Sequence, residues 1–183
     1  MRCKTLILLC WVAFLCCGCD RVSVSREVKH FIGKQISFSD KINYYKGFNP
    51  YYNKHEDSCG SLVFWFDKNE CATCRLSSLD KLRGLFDYCR DSVPCIEVKI
   101  IFTPSPEKRE TFLDFVENNE FEYPFYIDDQ DLFRKDNMDI PLDPLYHVFL
   151  LDSNEKVVLV GSPLLNKDML MLYKETMFSI FKE

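Results

Sequence analysis

The chain has 183 residues, a length that suits one domain plus a targeting segment. It is 47% hydrophobic, with 16 Phe and 9 Tyr, so there is ample material for a core. The formal charge of −5 and the lack of any basic cluster argue against nucleic acid as a partner.

Met1-Arg2-Cys3-Lys4 is a short basic start, and residues 5–15 form an apolar run. Such a run is too short to span a bilayer and suits the core of a signal peptide. It ends in Leu15-Cys16-Cys17-Gly18-Cys19-Asp20, without an Ala-x-Ala-like cleavage site. This resembles a bacterial lipoprotein signal, in which cleavage before a cysteine leaves that cysteine as the lipid-bearing N-terminus. Cys19, preceded by Gly18, is the expected lipidation site, with Cys17 as the alternative. An ordinary or uncleaved secretory signal is the other reading. The expected organisation is a signal peptide over 1–18, a polar tether over 19–30 running into a short helix, and one domain over 31–183.

Cleavage removes Cys3, Cys10, Cys16 and Cys17 from the ten cysteines, and acylation uses Cys19. Cys59, Cys71, Cys74, Cys89 and Cys95 remain as thiols in an oxidising compartment. Their number is odd, so at least one is free or pairs transiently.

Residues 31–38 alternate loosely and predict a strand entered through Gly33. Residues 41–57, rich in Tyr and Asn with Gly47 and Pro50, predict a meander or hairpin. The apolar run Ser61–Phe66 has the length of one buried strand, and turn formers in Asp67–Glu70 break it. From Cys71 the period changes. Cys74, Leu76, Leu79, Leu82, Leu85, Phe86 and Cys89 fall at three- and four-residue spacings, which predicts one amphipathic helix from Cys71 to Cys89.

After a turn at Asp91–Pro94, Cys95–Phe102 is a second β-prone run, ended by Thr103–Pro106. Residues 107–119 predict a helix with an apolar stripe of Phe112, Phe115 and Val116, and Tyr123–Ile127 a short strand. The acidic run Asp128–Asp131 reads as a solvated turn, followed by one or two helical turns through Asn137. Pro141 and Pro144 mark a rigid loop. Leu145–Leu151 and Lys156–Val160 are two strands joined by a hairpin connection at Asp152–Glu155. Asn166 is the expected cap of a last helix running to about Phe181. This order predicts an α/β, three-layer fold: a mixed sheet with helices on both faces and an antiparallel C-terminal hairpin.

Chemistry gathers beyond the carboxyl ends of strands in such sheets, and Cys71-Ala72-Thr73-Cys74 lies just past one. A thiolate is the attacking species, and a free thiol near pKa ~8.5 is mostly protonated at neutral pH. Unpaired N–H groups at a helix start stabilise the anion. Cys71 is therefore the expected attacking thiol and Cys74, turned inward, the resolving one. Lys68 and Arg75 add positive potential, and Glu70 opposes it. The other readings of the pair are an inert structural disulfide and a zinc half-site. Zinc needs about four ligands, and no second Cys-x-x-Cys or His pair exists, so no metal is expected. Cys59, Cys89 and Cys95 belong at the opposite pole, structural or free, with Cys59–Cys95 and Cys89–Cys95 as competing pairs.

Strand, Cys71-x-x-Cys74 helix, crossover and hairpin together resemble the thioredoxin fold. More closely, the chain is similar to the TlpA-like, redoxin-type lipoproteins of the bacterial envelope. Leu62-Val63-Phe64-Trp65-Phe66, Cys71-x-x-Cys74, Phe149-Leu150-Leu151-Asp152 and Lys156–Gly161 carry the resemblance, with Phe31-Ile32-Gly33-Lys34 as a leading segment. It implies a membrane-anchored, periplasm-facing thiol–disulfide oxidoreductase that needs no cofactor. Its implied partners are protein thiols and disulfides of the envelope, and an upstream electron donor or acceptor. It departs at three places: Glu70 stands where the fold usually has Trp, Trp65 where thioredoxins bury an acid, and Tyr146 where a cis-proline is expected. Pro144 lies two residues early, so Pro144, Tyr146 and His147 are the substrate-loop candidates. Two other functions fit the same residues: a non-catalytic binding lipoprotein with Cys71–Cys74 locked, and Sco-like copper handling through Cys71, Cys74 and His147.

Overall fold

A computed structural model describes residues 26–47 and 58–181. The leader, Cys19 and most of the tether lie outside these residues, as does the part of the expected meander beyond Gly47. Residues 26–31 are helical. Six strands follow, β1 (Asn43–Tyr45), β2 (Gly60–Phe66), β3 (Ile96–Phe102), β4 (Phe125–Ile127), β5 (Val148–Leu151) and β6 (Val157–Val160). The principal helices are α1 (Ala72–Leu79), α2 (Arg83–Ser92), α3 (Arg109–Asn118), α4 (Leu132–Asp136) and α5 (Lys167–Phe181).

The sheet runs β1-β4-β3-β2-β5-β6. β2, β3 and β4 are parallel neighbours, while β5, β6 and β1 join antiparallel, so the sheet is mixed with the expected C-terminal hairpin. Every residue of β2 is buried, which is why this strand reads as an unbroken apolar run rather than an alternating one. The two faces separate by the period of two. Leu62, Phe64 and Phe66 pack with residues of α1, α2, α3 and α5, whereas Val63 and Trp65 pack with Phe31, Phe133 of α4, Ile140 and Phe149. Helices therefore cover both faces. Among the described residues no helix is long and apolar enough to cross a membrane.

Three expectations are corrected. Residues 31–38 do not form a strand: the helix ends at Phe31, and Gly33, at φ +80°, turns the chain through the left-handed region. The segment then follows β6 irregularly, with one bridge between Gln35 and Lys156, while Phe31 and Ile36 enter the core. The second correction concerns the helix from Cys71 to Cys89, which is interrupted by a 3₁₀ turn at Asp80–Leu82. Leu76, Leu79, Leu82 and Leu85 recur every third residue and all are buried. A turn of three residues keeps such a series on one face, where an uninterrupted α-helix lets it drift. Third, the acidic run is not simply solvated. Asp128 is buried, and its carboxylate accepts from the N–H groups of Leu132 at 2.9 Å and Phe133 at 2.7 Å, holding the start of α4.

Candidate active site

β2 delivers the chain to the site. Asp67 organises the turn that follows: its Oδ1 accepts from the N–H of Asn69 at 2.8 Å, and its carbonyl from the N–H of Glu70 at 3.0 Å. Cys71 then occupies the N-cap of α1 with extended backbone, and its sulfur accepts from the N–H of Cys74 at 3.4 Å. The Thr73 hydroxyl lies 3.5 Å from the same sulfur. Cys71 and Cys74 are joined as a disulfide, with Cα atoms 5.3 Å apart.

Both cysteines are exposed, which corrects the expectation that Cys74 turns inward. Leu76 and Leu79 set the buried face of α1. At about 100° per residue Cys74 falls on the side opposite that face. The expected cations are already engaged, Lys68 with Asp131 at 3.1 Å and Arg75 Nε with Glu70 Oε2 at 2.7 Å.

Glu70 is an acid whose side chain is buried. Its side chain is 7% exposed, and its second oxygen, Oε1, accepts from the N–H of Asp67 at 3.3 Å and lies 3.4 Å from His147 Nδ1. His147 precedes β5, at the end of a 3₁₀ turn over Pro144–Tyr146 that the Asp143 carboxylate caps through the N–H of Leu145. The His147 side chain is 2% exposed, its Nε2 lies 3.0 Å from the carbonyl of Pro141, and its ring packs on Trp65 with centroids 4.3 Å apart. The backbone is tied in as well, because the N–H of Trp65 donates to the carbonyl of His147 at 3.0 Å. Ring and backbone alike thus hold Trp65 to the loop before β5.

That cleft, of about 410 Å³, is lined among others by Glu70, Arg75, Pro144, Leu145, His147 and Leu165. Glu70 and Arg75 flank the disulfide pair in sequence. Two of the loop candidates, Pro144 and His147, thus face the site, whereas Tyr146 packs against the core on the Trp65 side of the sheet. No cis peptide occurs among the described residues, so the loop is built from trans bonds throughout. His147 spends both ring nitrogens on Pro141 and Glu70, and no group of three or more metal-ligating side chains is found among the described residues. The copper reading gains nothing from this geometry.

Sequence reasoning missed the joining of Glu70, Arg75 and His147, a contact across 77 positions that leaves no local pattern. It also missed the wall supplied by Ser162, Leu164 and Leu165 after β6. Two leucines outside any predicted element were the available signal. Tyr173 of α5 fixes this wall, its buried hydroxyl lying 2.7 Å from the carbonyl of Gly161 and 3.2 Å from that of Val148.

At the far end of β2, Cys59 and Cys95 form a second disulfide, with Cα atoms 5.2 Å apart. Cys89 remains a free, buried thiol.

No family model and no curated protein matches the chain at the level of sequence. Solved structures do match. A thioredoxin-like protein in its oxidised form superposes with a TM-score of 0.53 at 12% identity, covering 81% of this chain and 97% of that one. A protein described as a thiol:disulfide interchange protein, DsbE, from Chlorobium tepidum superposes at 0.50 with 13% identity, over 81% and 97% of the two chains. The chain has a thioredoxin-like fold.

Proposed function

We propose, from a thioredoxin-like fold bearing an exposed Cys-x-x-Cys pair at a helix start, that this protein is a thiol–disulfide oxidoreductase acting on protein thiols. The observation that carries it is the place of Cys71: N-cap of α1, just past the carboxyl end of β2, and already bonded to Cys74. After reduction the Cys71 thiolate is stabilised by the unpaired N–H groups of the first turn. It attacks one sulfur of a partner disulfide, whose other sulfur leaves as a thiolate and takes a proton. Cys74 then gives up its proton and attacks Cys71, which breaks the mixed disulfide and frees the partner as a dithiol. The reverse sequence oxidises a partner, and no cofactor enters either direction. Similarity to a protein described as a thiol:disulfide interchange protein supports this reading.

The proposal extends to place. The leader and Cys19 fit a lipid-anchored protein of the bacterial envelope facing the periplasm, fed by an electron donor or acceptor there. Labelling with a fatty-acid precursor, lost in Cys19→Ala, tests the anchor.

Reduction of insulin by the chain lacking residues 1–18, together with capture of partners by Cys74→Ser, tests the activity. Loss of the resolving thiol is expected to leave reductant-sensitive adducts of high mass. Absence of both insulin reduction and adducts favours the rival, a binding lipoprotein with a locked Cys71–Cys74 bond.

A further inference from the structure

The thioredoxin-like reading leaves an acid beside the reactive sulfur unexplained. Glu70 immediately precedes Cys71, so their Cα atoms are about 3.8 Å apart. A buried carboxylate beside a thiolate destabilises it. Arg75 answers one negative charge through Oε2, but that leaves the site with no net positive charge to hold a second anion.

The hydrogen-bond geometry of His147 supplies the missing charge. A carbonyl only accepts, so the contact of Nε2 with Pro141 at 3.0 Å places a proton on Nε2. In a neutral ring Nδ1 would then turn a lone pair toward Glu70 Oε1 at 3.4 Å, two acceptors facing each other between side chains that are both buried. A proton held between Nδ1 and Oε1 removes that conflict.

We propose that His147 and Glu70 share a proton that neutralises the acid beside Cys71. Arg75 is then the unopposed positive charge of the site, and His147 is a positioning residue acting on Cys71 through Glu70. This rests on the proposed redox role of Cys71. The charged groups around His147 are few: Glu70 from the turn before α1, Arg75 behind it, Asp143 on the same cleft wall, and Arg134, whose guanidinium lies 5.8 Å from the Trp65 ring centroid. Charge counting gives each variant a sign. His147→Gln leaves Glu70 against Arg75, a net of zero. Glu70→Gln removes both the acid and the need for the proton, so Arg75 stays unopposed. The double variant has the same balance as Glu70→Gln.

The test is the rate at which iodoacetamide, a neutral reagent, alkylates Cys71 in the full-length chain at pH 7 after reduction with dithiothreitol and its removal. His147→Gln is expected to slow Cys71 about tenfold, the change that one pKa unit in the attacking thiol makes. Adding Glu70→Gln to it is expected to restore the rate to within about threefold of the starting protein. A double variant as slow as His147→Gln alone assigns the loss to packing and overturns the proposal, as does a His147→Gln rate equal to the starting one. Should His147→Gln fail to fold, Glu70→Gln alone still decides. A rate within about threefold supports the shared proton, and a tenfold rise shows that the acid had been uncompensated. Alkylation needs no protein partner, so a chain that fails to reduce insulin yet shows this pattern loses the enzymatic reading and keeps the charge balance.

Discussion

Two cysteines of this chain meet opposite environments. Cys71 caps a helix in solvent, whereas Cys89 lies in the core with its Sγ 3.7 Å from the sulfur of Met177. Burial pushes the Cys89 thiol up to about 12 from an ordinary value of 9.0, against a small opposing pull from Lys174. At pH 7 a thiol at that level is ionised in roughly one molecule in 10⁵, against about 3% for a free one near 8.5. Mass mapping after limited alkylation of the reduced chain is therefore expected to find Cys71 modified first and Cys89 last, by at least about a thousandfold. A Cys71 rate no faster than that of Cys59 would remove the case for activation at the helix start. The same burial has a pH consequence. A thiol harder to ionise folded than unfolded costs nothing below about pH 9 and lowers stability as pH rises from there toward 12. Cys89→Val is expected to flatten that part of an alkaline unfolding curve, with the decline from buried tyrosines such as Tyr173 remaining. At this scale the sequence revealed the bonded pair but not its surroundings. Glu70 was legible as an acid beside Cys71, while His147, which meets it, arrives from the loop before β5.

Elements were readable where one pattern ruled. β2 and β3 are uninterrupted apolar or alternating runs, and Asn166 does hold the last helix, its Oδ1 accepting from the N–H of Met169 at 2.8 Å. Where two demands compete, the pattern misleads. Phe31 and Ile36 both enter the core, but Gly33 makes them meet it from a turn rather than a strand. Four leucines at a strict spacing of three were visible, yet a spacing of three or four admits an α-helix as readily as the 3₁₀ turn that forms. Asp128 shows how charge alone deceives, since a carboxylate with two backbone donors is stable out of water. Asp128→Ala is expected to leave both N–H groups of α4 unpaired and to cost about 1–3 kcal/mol. Asp128→Asn, which keeps an acceptor, is expected to lose less. Urea denaturation of the two variants checks this, and equal midpoints for Asp128→Ala and the starting protein would contradict the capping role.

Across the whole molecule, β2 separates two disulfides, one exposed and one at its far end. Its seven residues span about 23 Å at roughly 3.3 Å each, with Cys59 before one end and Cys71 beyond the other. Cys59–Cys95 closes a loop with a separation of 36 residues and ties the starts of β2 and β3. Loop-closure entropy for that length corresponds to about 4 kcal/mol of stability. Cys59→Ser with Cys95→Ser is expected to lower the melting temperature accordingly and to leave the Cys71–Cys74 potential within about 30 mV, a tenfold change in equilibrium constant. A larger shift in the folded variant would mean that the two ends of the strand communicate. Their separation also makes each molecule a two-part record. On the proposed redox role, the far bond reports the surroundings in which the chain folded, and the exposed bond the last partner it met. Differential thiol labelling of the chain taken directly from living cells reads the two histories side by side.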